Sequence, residues 1–546
     1  MDFRNQFSQR TPALWILPGM IAGLLLAKTH AASATVAVAA LALALLSWHF
    51  ARRNKSGAWW LMFLLSSGLG FWAFGTARLP DRPAPERLAM PPREATLELK
   101  IQRIMQAENQ FGKSSGIARV LRASTTSGLP SGSRIYFRLS REDTAALELM
   151  RGLTLEATGV LHPIPQQVAA DSFEGYLRES GIDFTFQQTS QAQLVRVASP
   201  FKRLCHQTNL RFQHFLRLGE PPDSQLSQIY IAMLLGQKAQ LSAEQKDRFR
   251  VTGTMHLFAI SGLHIGVIAT VIWQVLLLCR LPARLTPFFG LPLLYFYVEV
   301  TGAAPSAIRA FLMVAFFWAS IAVQRQRAPL PALAASAVLV LLIQPTQLWQ
   351  IGFQLSYLVV LSILLYGLPL REKLWPLLRP NKFLPTEDWT RRHKAKFWIA
   401  DKLLLLLVIS LSAWLVSAPL SAAFFGTIAP YAILVNLLLV NLAAVVISSG
   451  AIALAVASVG LTAPAAFLNH SAWLGISLMD AMLRLNLVLP GSTLSCPNFP
   501  QPVCYTGVLA YILCLVCCGQ SSRPLLRFVV PPVIILITLV WGGALA

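Results

Sequence analysis

Apolar residues run in blocks close to twenty long through most of this chain, and one long stretch interrupts the pattern. Three blocks open the sequence, at about 12–27, 32–50 and 58–75. Each approaches the roughly 20 residues a helix needs to cross a hydrocarbon core. Others follow, among them Leu263–Leu278, Leu348–Leu368 and Leu403–Pro419, and no Lys, Arg, Asp or Glu occurs between Leu403 and Met479. From about Thr76 to Thr254 the grammar differs. Pro80, Pro83, Pro85, Pro91 and Pro92 make a stiff linker. Ala95–Ile104 then alternates, with Leu97, Leu99 and Ile101 on one face, and short runs follow at Gly116–Leu121, Arg134–Leu139, Leu153–Val160 and Asp183–Val197. Short alternating runs separated by Gly/Ser/Pro turns predict a small barrel or sandwich. About five strands in roughly 100 residues suit an OB-type barrel.

The pattern therefore predicts a polytopic α-helical membrane protein, with about 13 transmembrane helices and an inserted small all-β OB-like periplasmic domain. The expected divisions are N-terminal transmembrane helices over 1–75, the OB-like domain over 76–200, amphipathic linker helices over 201–255 and a multi-helix channel domain over 256–546. Gln228–Leu235 is apolar enough to lie on or in the membrane surface. Ser242-Ala-Glu-Gln245 reads as a capping box.

Charge sets the topology. Hydrophobic residues make up 55% of the chain and charged ones 13%, with a mean hydropathy of +0.55. The net charge is +22. Arg52, Arg53 and Lys55, then Arg280 and Arg284, Arg325 and Arg327, the long basic loop Arg371–Lys402, and Arg523 and Arg527 all fall on one side when spans are counted. Cationic loops stay in the cytoplasm, so the N-terminus is cytoplasmic and the 76–254 segment periplasmic. The first apolar run, lacking a small-residue cleavage site, is a retained span. Part of the excess charge sits in the periplasmic segment, where it fits a polyanion or an anionic lipid surface. On or near its strands lie Lys100, Arg103, Lys113, Arg119, Arg122, Arg134, Arg138 and Arg141, with Tyr136 and Phe137 among them. Basic groups can track phosphates while aromatics stack bases; an ordinary solvated surface over core aromatics has the same composition. Cys496 and Cys504 bracket a Pro-rich loop that a disulfide would close in an oxidising compartment. No metal-ligand spacing and no cofactor motif appears.

Four polar interruptions break the second apolar half. The first runs Gly253-Thr-Met-His256 to Ser261-Gly262-Leu-His264-Ile-Gly266. Its donors suit phosphate oxygens or a neighbouring helix. The second, Gly302-Ala-Ala-Pro305-Ser306-Ala-Ile-Arg309, puts an arginine one turn into a span, where charge is costly and faces a cavity or a partner. Glu299 is its nearest acidic partner in sequence and is expected to position it. The third, Ile351-Gly352-Phe-Gln354-Leu-Ser356-Tyr357, and the fourth, from Ala418-Pro419 to Asn436-Leu437, put small or amide residues inside the membrane. Each alone suits helix packing; four in one chain suit a transport path.

In these motifs and their order the chain resembles the ComEC family of DNA-internalisation proteins, and Phe173-Glu-Gly-Tyr176 to Gly181-Ile182 resembles that family's junction between barrel and channel. The resemblance implies a bacterial inner-membrane channel that passes one DNA strand inward during natural transformation. It places His256, Ser261, Gly262, His264, Glu299, Pro305, Ser306, Arg309, Gln354, Ser356 and Asn436 on the DNA path, and Lys100, Arg103, Arg119, Arg122, Arg134, Tyr136 and Arg138 on the DNA-binding face of the barrel. Asn441 stands where the family's fourth motif has proline. Many members continue into a metallo-β-lactamase-like domain. None of the nine histidines here forms an HxHxDH cluster, so no hydrolytic activity is expected of this polypeptide. The expected partners are single-stranded DNA, membrane lipids, a periplasmic DNA receptor, a separate nuclease and, since no Walker A motif is present, a cytoplasmic ATPase or helicase motor. The alternatives are a transporter or flippase for another anion, and a membrane scaffold for a nuclease or motor.

Overall fold

The computed structural model describes residues 12–545 apart from 30–33, 53–57, 80–90, 107–113, 125–127, 141–147, 166–167, 169–171, 222–225, 238–240, 243, 247–248, 250–251, 253, 259, 324–328, 379–388, 520 and 522. Lys113, Arg141, Arg325, Arg327 and the Pro80–Pro85 linker lie outside these residues, as does the side chain of His256.

The three opening blocks form α1 (Pro12–Thr29), α2 (Ala34–Arg52) and α3 (Ala58–Arg78). The alternating stretch then forms β1 (Arg93–Gln106), β2 (Ser114–Ala123), β3 (Arg134–Leu139) and β4 (Thr154–Pro163), a short helix α4 (Phe173–Glu179), and β5 (Phe184–Gln188) and β6 (Gln193–Arg196). The last expected strand is thus two, split at a turn. The sheet runs β1-β2-β3-β5-β4-β6, and β1 also pairs with β4, so five strands close on themselves. Closure bends β1 at bulges between Ile101/Arg103 and Ile104/Gln106. Gly116 faces that bend, and a Cβ there would run into the Arg103 carbonyl and the Phe137 ring. Leu97, Leu99, Ile101, Val120, Ile135, Phe137, Leu155 and Phe186 fill the interior at 0–1% exposure, as the alternation predicts.

A kinked chain of helices follows: α5 (Pro200–Leu216), α6 (Leu226–Leu235), α7 (Gly262–Leu278), α8 (Thr286–Val300), α9 (Pro305–Ala322), α10 (Pro329–Ile343) and α11 (Ile351–Ser362). A π-helical turn, Ile363–Gly367, continues α11 into α12 (Leu368–Leu374). Then come α13 (Arg391–Phe425), α14 (Ala432–Ser458), α15 (Thr462–Val488), α16 (Gln501–Cys518) and, after a second π turn, α17 (Val530–Leu545). Among the described residues, six helices are long and apolar enough to cross a membrane: Pro305–Ala322, Ile351–Leu378, Arg391–Phe425, Ala432–Ser458, Gln501–Cys518 and Leu525–Leu545. Shorter apolar helices accompany them, α7 and α10 included.

Three expectations are corrected. The segment Gln228–Leu235 does not lie at a membrane surface. Every residue from Ile229 to Leu235 is buried, because α6 is enclosed by α7, α8, α14 and α15. Tyr297 Oη donates to the Leu234 carbonyl (2.5 Å), and Gly450 leaves room for the Tyr230 ring, whose hydroxyl lies 2.8 Å from where its Cβ would be. Nor is Arg371–Lys402 a loop throughout. Thr390 caps α13, and Arg371 grips Asp401 with Nη2 at 2.7 and 2.9 Å from its two oxygens. A 35-residue helix spans roughly 52 Å, so its basic first turns project beyond a hydrocarbon core of about 30 Å. Finally, Cys496 and Cys504 are both free thiols. Cys504 is buried in the first turn of α16, while the Cys496 amide pairs with the Gly426 carbonyl (2.8 Å). The loop is closed instead by a small ribbon, β7 (Thr427–Ile428) with β8 (Leu494–Ser495), and by Phe499 packed on Gly542. All seven cysteines are free, so unfolded, unreduced protein should take up seven maleimides by mass spectrometry; uptake of five would restore the disulfide. The Ser242–Gln245 capping box is present, with both reciprocal bonds at 3.0 and 3.1 Å.

Candidate functional site at the seam of barrel and bundle

The helices pack as two bodies. One is built around α6 with α7, α8, α9, α14 and α15. The other holds α10, α11, α13, α16 and α17 together with α1. Helix α9 stands between them, and the second polar motif explains how. At the end of α8 the chain must reverse within four residues. Gly302 and Ala303 both take left-handed backbone (φ 89° and 48°), and their amides bond back to Glu299 and Val298. Pro305 then opens α9, where a missing N–H costs nothing.

Arg309, one turn in, is 3% exposed. Its guanidinium crosses to the other body, Nη1 donating to Gln347 Oε1 (3.2 Å) and Nη2 to the Gly352 carbonyl (2.8 Å). Gly352 of the third motif is thus a partner of Arg309. Glu299 is not. Its carboxylate, 5% exposed at the side chain, accepts from Arg151 Nη1 of the barrel (2.7 Å), from Lys202 Nζ of α5 and from Tyr295 Oη (2.8 Å). The expectation that Glu299 positions Arg309 is corrected: the turn points the two side chains to different neighbours. Arg151 also donates to the Gln102 carbonyl (3.0 Å), and Asn209 Nδ2 of α5 donates to the carbonyl of Val300 (2.8 Å). Glu299 therefore fastens the barrel and α5 to the end of α8. Arg151 and Lys202 carried no sequence signal beyond their charge.

The first motif sits beside this turn. Ser306 Oγ donates to the Ile260 carbonyl (2.6 Å). Ser261 caps α7, its hydroxyl 3.0 Å from Nδ1 of the fully buried His264. Gly262 and Gly266 face open space. In the third motif, Gln354 bonds the Leu348 carbonyl (3.2 Å) and accepts from Tyr505 Oη of α16 (3.3 Å), and Ser356 is half-buried. In the fourth, Asn436 is half-buried on α14 and its Oδ1 has no partner among the described residues; Asn441 is exposed and bonds its own helix.

Beneath these motifs lies a cavity of about 440 Å³ between α7, α9, α10 and α11. It starts at Met313, one turn past Arg309 on the same helix face, and runs past Gly266, Trp273, Phe317 and Trp318. Its lining is apolar, and its one hydroxyl, on Thr270, is bonded within its own helix. Among the described residues, none of the expected path residues lines it. The polar groups instead join helix ends around its upper rim.

The barrel carries α4 on one side. Arg134 Nη1 donates to the Ser180 carbonyl (3.0 Å) and so caps the C-terminal end of α4, and burial lowers its pKa below the ordinary arginine value. Helix α4 lies on the outer face of β2 and β3, with Leu177 and Ile182 against Ile117 and Tyr136. Tyr136 is 6% exposed, under the edge of Phe173 at 5.1 Å. It is not available to stack a base, which corrects that expectation. At the same C-terminal end of α4, burial pushes the Glu179 carboxyl up while Lys28 of α1 opposes the shift. Of the barrel's expected residues, Lys100, Arg119, Arg122 and Arg138 remain exposed.

A bundle of apolar helices, six of them among the described residues long enough to cross a membrane, with an inserted, closed β-barrel defines a multi-pass membrane protein. The chain belongs to the Competence protein family, whose profile matches residues 233–521. A curated relative, ComE operon protein 3 of Bacillus subtilis (strain 168), is 29% identical over 226 residues. That match covers 41% of this chain and 29% of the relative's length. No solved structure matches.

Proposed function

We propose that this chain is an inner-membrane channel for uptake of single-stranded DNA into the cytoplasm during natural transformation. The observation that carries the reading is Arg309, buried one turn into a membrane-spanning helix and bridging the two helical bodies through Gln347 and the Gly352 carbonyl, one turn from a cavity that lies between those bodies. An ionisable group inside a membrane-spanning helix is costly and marks a substrate path, and the family is one of competence proteins. The apolar cavity is a closed gate. Hydrophobic constrictions exclude water until their walls part, and α9 is the wall that both bodies share.

On this reading the barrel is an OB-type periplasmic domain over 76–200, supported by the β1-β2-β3-β5-β4 closure. Residues 201–255 link it to a channel domain over 256–546, and 1–75 form N-terminal spans. About 13 spans leave the N-terminus in the cytoplasm. The chain acts without its own chemistry, between a periplasmic DNA receptor, a separate nuclease and a cytoplasmic ATPase. Cells deprived of this chain should hold incoming labelled DNA outside the cytoplasm and yield no recombinants. Recombinants at the parental frequency would end the proposal.

A flippase for an anionic lipid is the second reading. The apolar cavity below Arg309 favours it, since acyl chains would suit that lining. A strand-binding barrel has no use in such a protein, so oligonucleotide binding separates the two.

A further inference from the structure

Helices α7 and α9 descend side by side from the rim. Ser306 Oγ holds the Ile260 carbonyl at the top, and the rings of Trp273 and Trp318 lie 5.2 Å apart further down. These contacts pair positions 46 and 45 apart in sequence, so the two helices run parallel and in step. On that offset Ile321, at the foot of the cavity, is level with Leu276. Gly290 of α8 closes this end with Trp318 and Leu276, to which an added Cβ would come within 2.6 and 3.4 Å. The turn from α7 to α8 follows at once and carries Arg280 and Arg284, both exposed. Arg280 stands four residues past Leu276, roughly 6 Å beyond the foot of the cavity.

Arg280 also has an uncommon backbone, with φ at 60°. Its amide bonds the Leu277 carbonyl (2.9 Å) and the next amide bonds that of Leu276 (3.0 Å). This is the left-handed close of a helix, where glycine is the ordinary residue. A side chain held there is strained, and what the strain secures is a cation at the cavity's foot.

The cavity has the shape and lining of a slot for hydrocarbon. Met313 and Ile321 bound about 12 Å of α9 along it, against about 15 Å for one leaflet of a hydrocarbon core. The Thr270 hydroxyl is bonded to the Gly266 carbonyl (2.8 Å), so the lining side chains offer water none of the partners it needs. Left empty, the lining forgoes its dispersion contacts. Thr270 is exposed midway along α7, and Trp273, Val314 and Phe317 are half-buried, so the slot opens sideways.

We propose that this cavity holds one acyl chain of an anionic phospholipid, with the lipid phosphate on Arg280 and Arg284. Basic groups beside a cleft between membrane helices take anionic headgroups. A neutral lipid would leave the strained arginine without a purpose, and a free phosphate would leave the slot empty. The site does not depend on what the channel conducts. It makes the lipid a resident part of the wall at α9.

The test is native mass spectrometry of the full chain in detergent, titrated with phosphatidylglycerol and with phosphatidylcholine of the same acyl chains. The parent should bind its first phosphatidylglycerol about tenfold tighter or more. R280A/R284A should bring the two lipids within about twofold of each other, with phosphatidylcholine binding unchanged. Gly266 has open space where a Cβ would stand, so G266L fills the head of the slot. It should weaken both lipids about tenfold, as two or more methylenes lose their place. V360F fills the slot from the opposite wall and should do the same. R280G separates the site from the scaffold. It relieves the left-handed strain, so the thermal midpoint without lipid should hold or rise, yet the preference for phosphatidylglycerol should fall about fivefold. Glycerol 3-phosphate, which has no chain, should leave mass and midpoint unchanged. Equal affinity of the parent for both lipids overturns the site, as does parental binding in both G266L and V360F. Scrambling of fluorescent phosphatidylglycerol by the parent in proteoliposomes would make the lipid a cargo and overturn the resident role.

Discussion

Arg309→Ala is expected to lower transformation by about a hundredfold or more at unchanged protein level. The arginine makes two charge-assisted hydrogen bonds across the seam, to Gln347 and to the Gly352 carbonyl, each worth about 1.5–3 kcal/mol. Its removal frees α9 from α11 and takes a buried cation from the seam. Arg309→Lys should recover only part of the activity, since an ammonium is a point charge and cannot span two acceptors as a planar fork does. Transformation frequency, read beside immunoblots and thermal unfolding in detergent, checks both. Parental frequency in Arg309→Ala would leave the seam as packing only. A matched loss of folding in Arg309→Ala and Arg309→Lys would show a purely structural role.

Glu299→Ala should release the barrel from the bundle. One carboxylate pairs with both Arg151 and Lys202, and removing one partner of a buried ion pair costs about 3–5 kcal/mol. The lower end applies here, since Arg151 and Lys202 keep 31% and 24% of their side-chain exposure. Hydrogen exchange should rise at Gln102, at Arg151–Leu153 and through the first turns of α5, while the interiors of α13 and α14 stay protected. Glu299→Gln keeps the shape and an acceptor oxygen and should fall between. Unchanged exchange at those amides in Glu299→Ala would mean that the barrel is held elsewhere.

The two experiments address different ends of one short motif, and the sequence showed that motif clearly while misassigning its bonds. Glu299 and Arg309 are ten positions apart with opposite charges, so pairing is the simplest expectation. It fails because Gly302 and Ala303 turn the chain left-handed, which sends one side chain outward to the barrel and the other inward across the seam. Tyr136 failed for a related reason. Alternation shows which residues leave the barrel interior, but not that α4 returns to cover part of the outer face. The Gln228–Leu235 run failed because an apolar helix looks alike whether lipid or protein surrounds it.

Local physics sufficed for what depends on near neighbours. The lengths of the apolar blocks, the strand alternation, the Ser242 cap and the proline-led start of α9 were all readable from sequence, because each is decided within a few residues. The closure of the barrel by β1 on β4, the junction of Arg309 with Gly352 and the grip of Glu299 on Arg151 join residues 43 to 148 positions apart. Such pairs form only when the packing of whole elements brings them to one place, and no pattern along a chain encodes which distant partner a charge will meet.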